Sequence, residues 1–195
     1  MPSRSEEKRK LILAKAELVF IRKGFRSVTM KDIIEECRIS RGGIYLYYSS
    51  VAEIFMEVVL RHNMINLMAA QRSAKGKQCF ETMLNHYLLM QKDRLLHMEN
   101  SLLPAMLEFF MANKDEAGKA FCAGTFDILG NAIQEVMNRG AEEGYIDRAD
   151  IRVQADQLLY LVKGLETLAI TGDITEALLD IQFGFYKQNL FRKRT

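Results

Sequence analysis

The chain has 195 residues, 49% of them hydrophobic, enough to bury a sizeable core in one large domain or two small ones. Two prolines, no tryptophan and abundant Leu, Met, Ala, Glu and Lys favour helix, and no run of alternating β-branched residues argues for a sheet. The net charge of +2 is unevenly spread: residues 1–48 hold 11 Lys/Arg and 6 Asp/Glu (net +5), leaving 27 − 11 = 16 basic and 25 − 6 = 19 acidic residues (net −3) for the remainder.

A basic N-terminal segment on an acidic body fits a nucleic-acid surface or, equally, a solvated basic helix. Cys37, Cys79 and Cys122 are odd in number and lack CxxC spacing, which argues against a disulfide framework or a zinc site. His62, His86 and His97 are scattered, so no metal and no cofactor are expected. No Ser/His/Asp grouping and no Gly-rich phosphate loop supports an enzyme. The polar opening from Met1 to Lys10 does not read as a signal peptide, and no apolar run reaches membrane-spanning length. The expected protein is soluble and cytoplasmic.

In chain order, a first helix is expected from Ser5, as N-cap, to Lys23, with Ile12, Ala16, Val19 and Phe20 on its apolar face and Gly24 ending it. Thr29, with Asp32 three residues on, caps a short second helix that ends near Cys37. Ser40 caps a third, Arg41 to Leu46. Two short helices joined by about three residues must cross steeply, as in a helix-turn-helix. A longer helix starts after Ser50 and passes Met68, with a break expected at Arg72 to Lys77. Further helices are expected over Cys79–Met98, from Ser101 through Pro104 to Met111, over Asp115–Glu143 and over Asp150–Thr171. A final helix, opened by an Asp173–Glu176 capping box, runs to Phe191. The fold class is therefore all-α with about nine helices, divided as a DNA-binding domain at 1–50 and a ligand-binding and dimerisation domain at 51–195.

The third helix is where chemistry concentrates. A helix-turn-helix lays its second helix in the major groove, with its N-terminal residues toward the base edges. Arg41 has a fork suited to guanine or phosphate. Gly42 and Gly43 present little side chain, and a short helix that accepts two glycines, at about 1 kcal/mol each, is easier to explain by a ligand than by stability. Tyr45 and Tyr47 supply hydroxyls for phosphate, while Tyr48 is expected to be a core ring. Thr29 can bind phosphate at the start of the second helix.

Residues 12–54, ILAKAELVFIRKGFRSVTMKDIIEECRISRGGIYLYYSSVAEI, resemble the DNA-binding domain of TetR-type repressors. The resemblance rests on Gly24-Phe25, Thr29, Ile33, Ile39-Ser40, Gly42, Tyr45, Tyr48 and Ser50. It implies a homodimer on a palindromic double-stranded operator, released by a small-molecule effector in the larger domain, with Thr29, Arg41, Gly43, Tyr45 and Tyr47 facing DNA. Two positions depart from the family pattern. Arg38 stands where glycine is usual in the turn, adding a cation near the phosphates, and Val51 replaces a customary lysine. The DNA-binding set is thus Thr29, Arg38, Ser40, Arg41, Gly42, Gly43, Tyr45 and Tyr47. Competing readings are an all-helical small-molecule enzyme and a protein-binding adaptor.

In the body, the last two helices are apolar on more than one side, which suggests a two-fold interface through Leu158, Leu161, Val162, Leu165, Leu178, Ile181 and Phe185. An adaptable apolar pocket is sought among Met68, Met83, Tyr87, Met90, Met106, Phe109, Phe110, Phe126 and Met137, each of which can equally be plain core.

Overall fold

The computed structural model describes residues 3–75 and 78–191. Among these it contains nine α-helices and no strand: α1 (Arg4–Lys23), α2 (Met30–Cys37), α3 (Arg41–Tyr45), α4 (Val51–Lys75), α5 (Phe80–Leu96), α6 (Leu103–Ala112), α7 (Glu116–Glu142), α8 (Ile151–Thr171) and α9 (Glu176–Phe191). None is long and apolar enough to cross a membrane. The break expected over Arg72 to Lys77 does not begin at Arg72, since α4 stays helical to Lys75 with its backbone hydrogen bonding uninterrupted by the polar residues; residues 76 and 77 and the cationic tail after Phe191 lie outside the described residues.

Local chemistry sets most helix ends. α1 is capped by Ser3, not by the expected Ser5. The Ser3 hydroxyl accepts from the Glu6 amide while Glu6 accepts from the Ser3 amide, a reciprocal box that Ser5 could form only with Lys8. α2 carries the same box between Thr29 and Asp32. α6 starts after Leu102, with Pro104 in its first turn and the Ser101 hydroxyl accepting from the Leu103 amide. At α9 the Thr175 hydroxyl accepts from the Leu178 amide at 3.2 Å, so Thr175 takes the place expected of Asp173.

The chain forms two compact units: residues 1–62 with 99–123, and residues 63–98 with 124–195. The divisions fall within α4, after His62, and within α7, after Ala123. In the first unit α1 packs on α2 and α6. Its centre is a cluster of rings. Phe55 lies 4.7 Å from Phe20, 5.0 Å from Phe25 and 5.1 Å from Phe109, and Phe25 and Phe109 meet edge to face at 4.9 Å. Edge-on and tilted contacts at these separations add to the burial of the rings themselves. One cluster thus joins α1, the following turn, α4 and α6.

In the second unit α5 packs on α8 and α9. Phe80, Tyr145 and Phe191 close one end, with centroids 5.1–5.8 Å apart. Within the same unit the α8 carboxylate Glu166 is buried and receives Arg94 of α5 at 2.5 Å and Lys163 at 2.7 Å, so the charge is paired rather than stranded.

Removing the central ring leaves a cavity that α1, α4 and α6 share. Phe55→Ala is expected to lower unfolding stability by about 3–5 kcal/mol. A urea titration checks this, and a loss below about 1 kcal/mol would show that the ring is not the centre of that core.

Candidate nucleic-acid interface

The turn between α2 and α3 is three residues long. Arg38 ends α2 in the left-handed region, φ 53° and ψ 42°, and is the one non-glycine residue with positive φ among those described. The departure anticipated at this position is therefore real, with the strain an L side chain pays there. Ser40 then caps α3, its hydroxyl accepting from the Gly43 amide at 3.1 Å. The crossing is fixed from below: Ile33 of α2, Ile44 of α3 and Tyr48 are all buried. Burial pushes the Tyr48 phenol up to about 12, so the ring is a neutral core residue. Arg9 covers it, with its guanidinium 5.8 Å from the ring centroid and 2.7 Å from Glu57.

Ile44 and Tyr48, one turn apart, point α3 inward, so Arg41, Gly42, Tyr45 and Leu46 form its outer face. All four are exposed. A Cβ placed on Gly42 would meet nothing within 4 Å, whereas one on Gly43 would come within 3.0 Å of the Ser40 hydroxyl. The two glycines therefore have separate reasons: Gly42 leaves an open gap on the outer face, and Gly43 makes room for the cap. The Arg41 guanidinium lies 5.7 Å from the Tyr45 ring centroid, which orients both.

Thr29 takes the capping position expected of it, with its hydroxyl engaged by Asp32. Its hydroxyl donates to the Asp32 carboxylate at 2.8 Å and accepts from the Asp32 amide, and its own amide donates to the same carboxylate at 2.8 Å. Lys23, 2.5 Å away, and the two Thr29 donors hold the Asp32 carboxyl down at about 2. At the start of α2 the Thr29 hydroxyl is thus already used, and the first-turn amides of Met30 and Lys31 are the donors left over.

The distribution of ion pairs was not legible in the sequence. Arg9 pairs with Glu57, Lys15 and Arg22 with Glu36, Lys23 with Asp32 and Lys31 with Glu35. Lys8, Arg38 and Arg41 have no ion pair among the described residues. Arg4, Lys10 and Arg26 are likewise without one, and of these six Lys8, Arg38 and Arg41 lie on and around α3. Lys8 also lines a groove of about 170 Å³ with Leu11, Ile12, Ile39, Ser40, Gly43 and Tyr47, between α1 and α3. It is a candidate contact that the motif alone does not include. Glu108 of α6 is another residue missed: it accepts the Arg26 amide at 2.9 Å, and a Cβ at Gly24 (φ +73°) would lie 2.7 Å from its carboxylate. The carboxylate thereby seals the turn after α1.

The body residues fall out as follows. Met106, Phe109 and Phe110 belong to the first unit, and Met68, Met83, Tyr87, Met90, Phe126 and Met137 to the second. Met83, Met106, Phe109 and Met137 are buried, while Met68 and Met90 are exposed. Tyr87 stands near Arg94 and Glu166, and Lys163 lies 5.7 Å from the Phe126 ring. No group of three or more His, Cys, Asp or Glu suited to a metal occurs among the described residues. Of the interface candidates, Leu158, Val162 and Leu165 are buried inside their own unit, Leu161 and Leu178 are half-buried, and Ile181 and Phe185 are exposed.

Comparison with known proteins bears on this geometry. Residues 12–58 match the model of the tetR family of bacterial regulatory proteins. The chain is 30% identical over 134 residues to the HTH-type transcriptional regulator YfiR of Bacillus subtilis (strain 168), covering 68% of this chain. It spans 65% of that relative's length, less than two thirds. Over 54 residues it is 35% identical to a second B. subtilis HTH-type regulator, YuxN, or 19% of that protein. The fold is shared with a TetR-family structure from Mesorhizobium loti, at TM-score 0.78 and 18% identity over 98% of both chains. It is shared also with reduced E. coli NemR, at TM-score 0.76 and 14% identity over 93% of this chain and 96% of that one.

Two outcomes follow from the local geometry. Arg38→Gly is expected to raise stability by about 1 kcal/mol, because glycine adopts positive φ without a Cβ penalty, as a denaturant titration would read. An unchanged midpoint would show that Arg38 is not strained. For Asp32 the folded carboxyl lies below its unfolded value, so its contribution is whole above about pH 4 and is lost as the pH falls toward about 2. Asp32→Asn should flatten the acid limb of a stability-against-pH curve in that window, and an unaltered limb would remove Asp32 from it.

Proposed function

We propose that this chain, which belongs to the tetR family of bacterial regulatory proteins, is a transcriptional repressor that binds a palindromic operator as a homodimer and leaves it when a small effector binds. The observation that carries the DNA reading is the outer face of α3. It is a steeply crossed helix with an exposed guanidinium, an open glycine gap and exposed Tyr45, ringed by cations that no carboxylate neutralises. Arg41 offers two parallel donors, the geometry that distinguishes guanine, while Arg38, Lys8 and the Tyr45 and Tyr47 hydroxyls suit phosphate. Ser40 and Gly43 shape the helix that presents them. The amides of Met30 and Lys31 support a phosphate contact at Thr29, through backbone rather than hydroxyl.

The dimer reading is supported by what α8 and α9 leave uncovered. Leu158, Val162 and Leu165 are consumed by the chain's own core. Tyr160, Ile181 and Phe185 remain 64%, 66% and 65% exposed, a large apolar area for two helices. A second copy covers such a face through a two-fold axis. The effector reading is supported by buried Met83 and Met137 in the unit where Tyr87 adjoins the Arg94–Glu166 pair. The effector acts only through different affinities for the DNA-competent and released states.

Selection of duplexes from a random pool by the full chain tests the proposal. Inverted half-sites centred about 10–10.5 base pairs apart are expected, and failure to enrich any sequence would overturn it. On the enriched duplex, Arg41→Ala should relax base preference at one position per half-site, whereas Tyr45→Phe should weaken all sequences alike. Ile181→Asp with Phe185→Asp should turn a dimer into a monomer in sedimentation and lower affinity for the full palindrome by at least tenfold, the equivalent of about 1.4 kcal/mol. A dimer that persists would place the interface elsewhere.

A further inference from the structure

Leu46 is the most exposed large apolar residue described, at 83%, and nothing in the DNA reading above uses it. It follows α3 directly with helical dihedrals, φ −68° and ψ −20°, so it continues the outer face one turn after Gly42. Ile44 and Tyr48, at 0% and 1% exposed, hold the opposite face in the core, so the outward position of Leu46 is fixed by packing rather than by chance. A lone exposed leucine is ordinary on a polar surface. This one lies one turn after the open Gly42 and next to exposed Tyr45, on a helix that also presents Arg41, in the unit where Lys8 and Arg38 carry no ion pair among the described residues. A protein partner that covered Leu46 would also have to match those cations. A duplex meets both demands, since its phosphates suit the cations and its major groove exposes one apolar group, the C5-methyl of thymine.

We infer that Leu46 is a specificity-determining residue that packs against a thymine methyl in each half-site, with the Gly42 gap letting the duplex come close enough for a side chain of this length to reach it. The inference rests on the DNA reading and adds a base that Arg41 cannot select. It requires the methyl, not the pairing edge, to be what is read.

The test uses the full chain and duplexes that it enriches from a random pool, remade with deoxyuridine in place of thymidine one position at a time. This exchange removes the methyl and leaves every hydrogen-bonding group. Wild type should lose about fourfold in affinity at one thymidine per half-site. That is the fold-change equivalent to about 0.8 kcal/mol for one buried methylene-sized group at 1.4 kcal/mol per tenfold. Leu46→Ala should bind thymidine and deoxyuridine duplexes equally, and Leu46→Met should keep the preference. The thermal midpoint should not move in either variant. A wild type indifferent to every exchange, or a Leu46→Ala variant that keeps the penalty, would overturn the inference while leaving the DNA reading intact. If wild type enriches no duplex at all, both fall together.

Discussion

Three residues, Arg38-Ile39-Ser40, have to carry the chain out of one short helix and into another at a steep angle. Arg38 accepts a left-handed backbone to do so, and Ser40 restarts the hydrogen bonding at once. Ile33, Ile44 and Tyr48 then lock the crossing from inside. Everything proposed for the surface follows from that constraint. With only five residues in α3, a rotation of one position would bury Arg41, Tyr45 or Leu46 and bring Ile44 to solvent. The inward pair therefore determines which side chains a ligand can meet.

Charge is organised around the same turn. The acids of the first unit are spent locally: Asp32 on a cap and Lys23, Glu36 on Lys15 and Arg22, Glu57 on Arg9. Exposed pairs of this kind contribute little stability individually. Their larger consequence is that they cancel cations away from α3 and leave Lys8, Arg38 and Arg41 uncancelled. A net of +5 over residues 1–48 is modest, and three of its six cations unpaired among the described residues, Lys8, Arg38 and Arg41, stand on and around α3. The Phe20–Phe25–Phe55–Phe109 cluster and the Glu108 contact at Gly24 brace that face through α1, α4 and α6.

Much of this was legible in the sequence where the signal is local. Thr29-x-x-Asp32 and Ser40 mark helix starts because capping depends on a side chain and an amide three residues away. Tyr48 reads as core because it lies one turn from Ile44. The Ser3 cap was legible too, since Ser3-x-x-Glu6 is a capping box and Ser5 has only Lys8 at that spacing. What was not legible is long-range. Nothing in the pattern of α6 says that Met106 and Phe109 join the N-terminal helices, or that Glu108 reaches a backbone amide 82 residues earlier. Leu158, Val162 and Leu165 show the same limit: apolar residues all round a helix imply burial on several sides without saying which side faces the chain itself.

Lys8 and Arg38, uncancelled beside α3, are held to meet the phosphates of a duplex while Arg41 meets a base edge. Affinity of the full chain for an enriched duplex, measured against salt concentration, tests it most directly. The account predicts a linear fall of log K with log salt, with a slope of about −0.9 for each phosphate neutralised. Lys8→Ala and Arg38→Gly should each make the slope shallower by about one such step, and Arg41→Ala should leave it nearly unchanged. A slope near zero, or one unmoved by the Lys8 and Arg38 substitutions together, would contradict it.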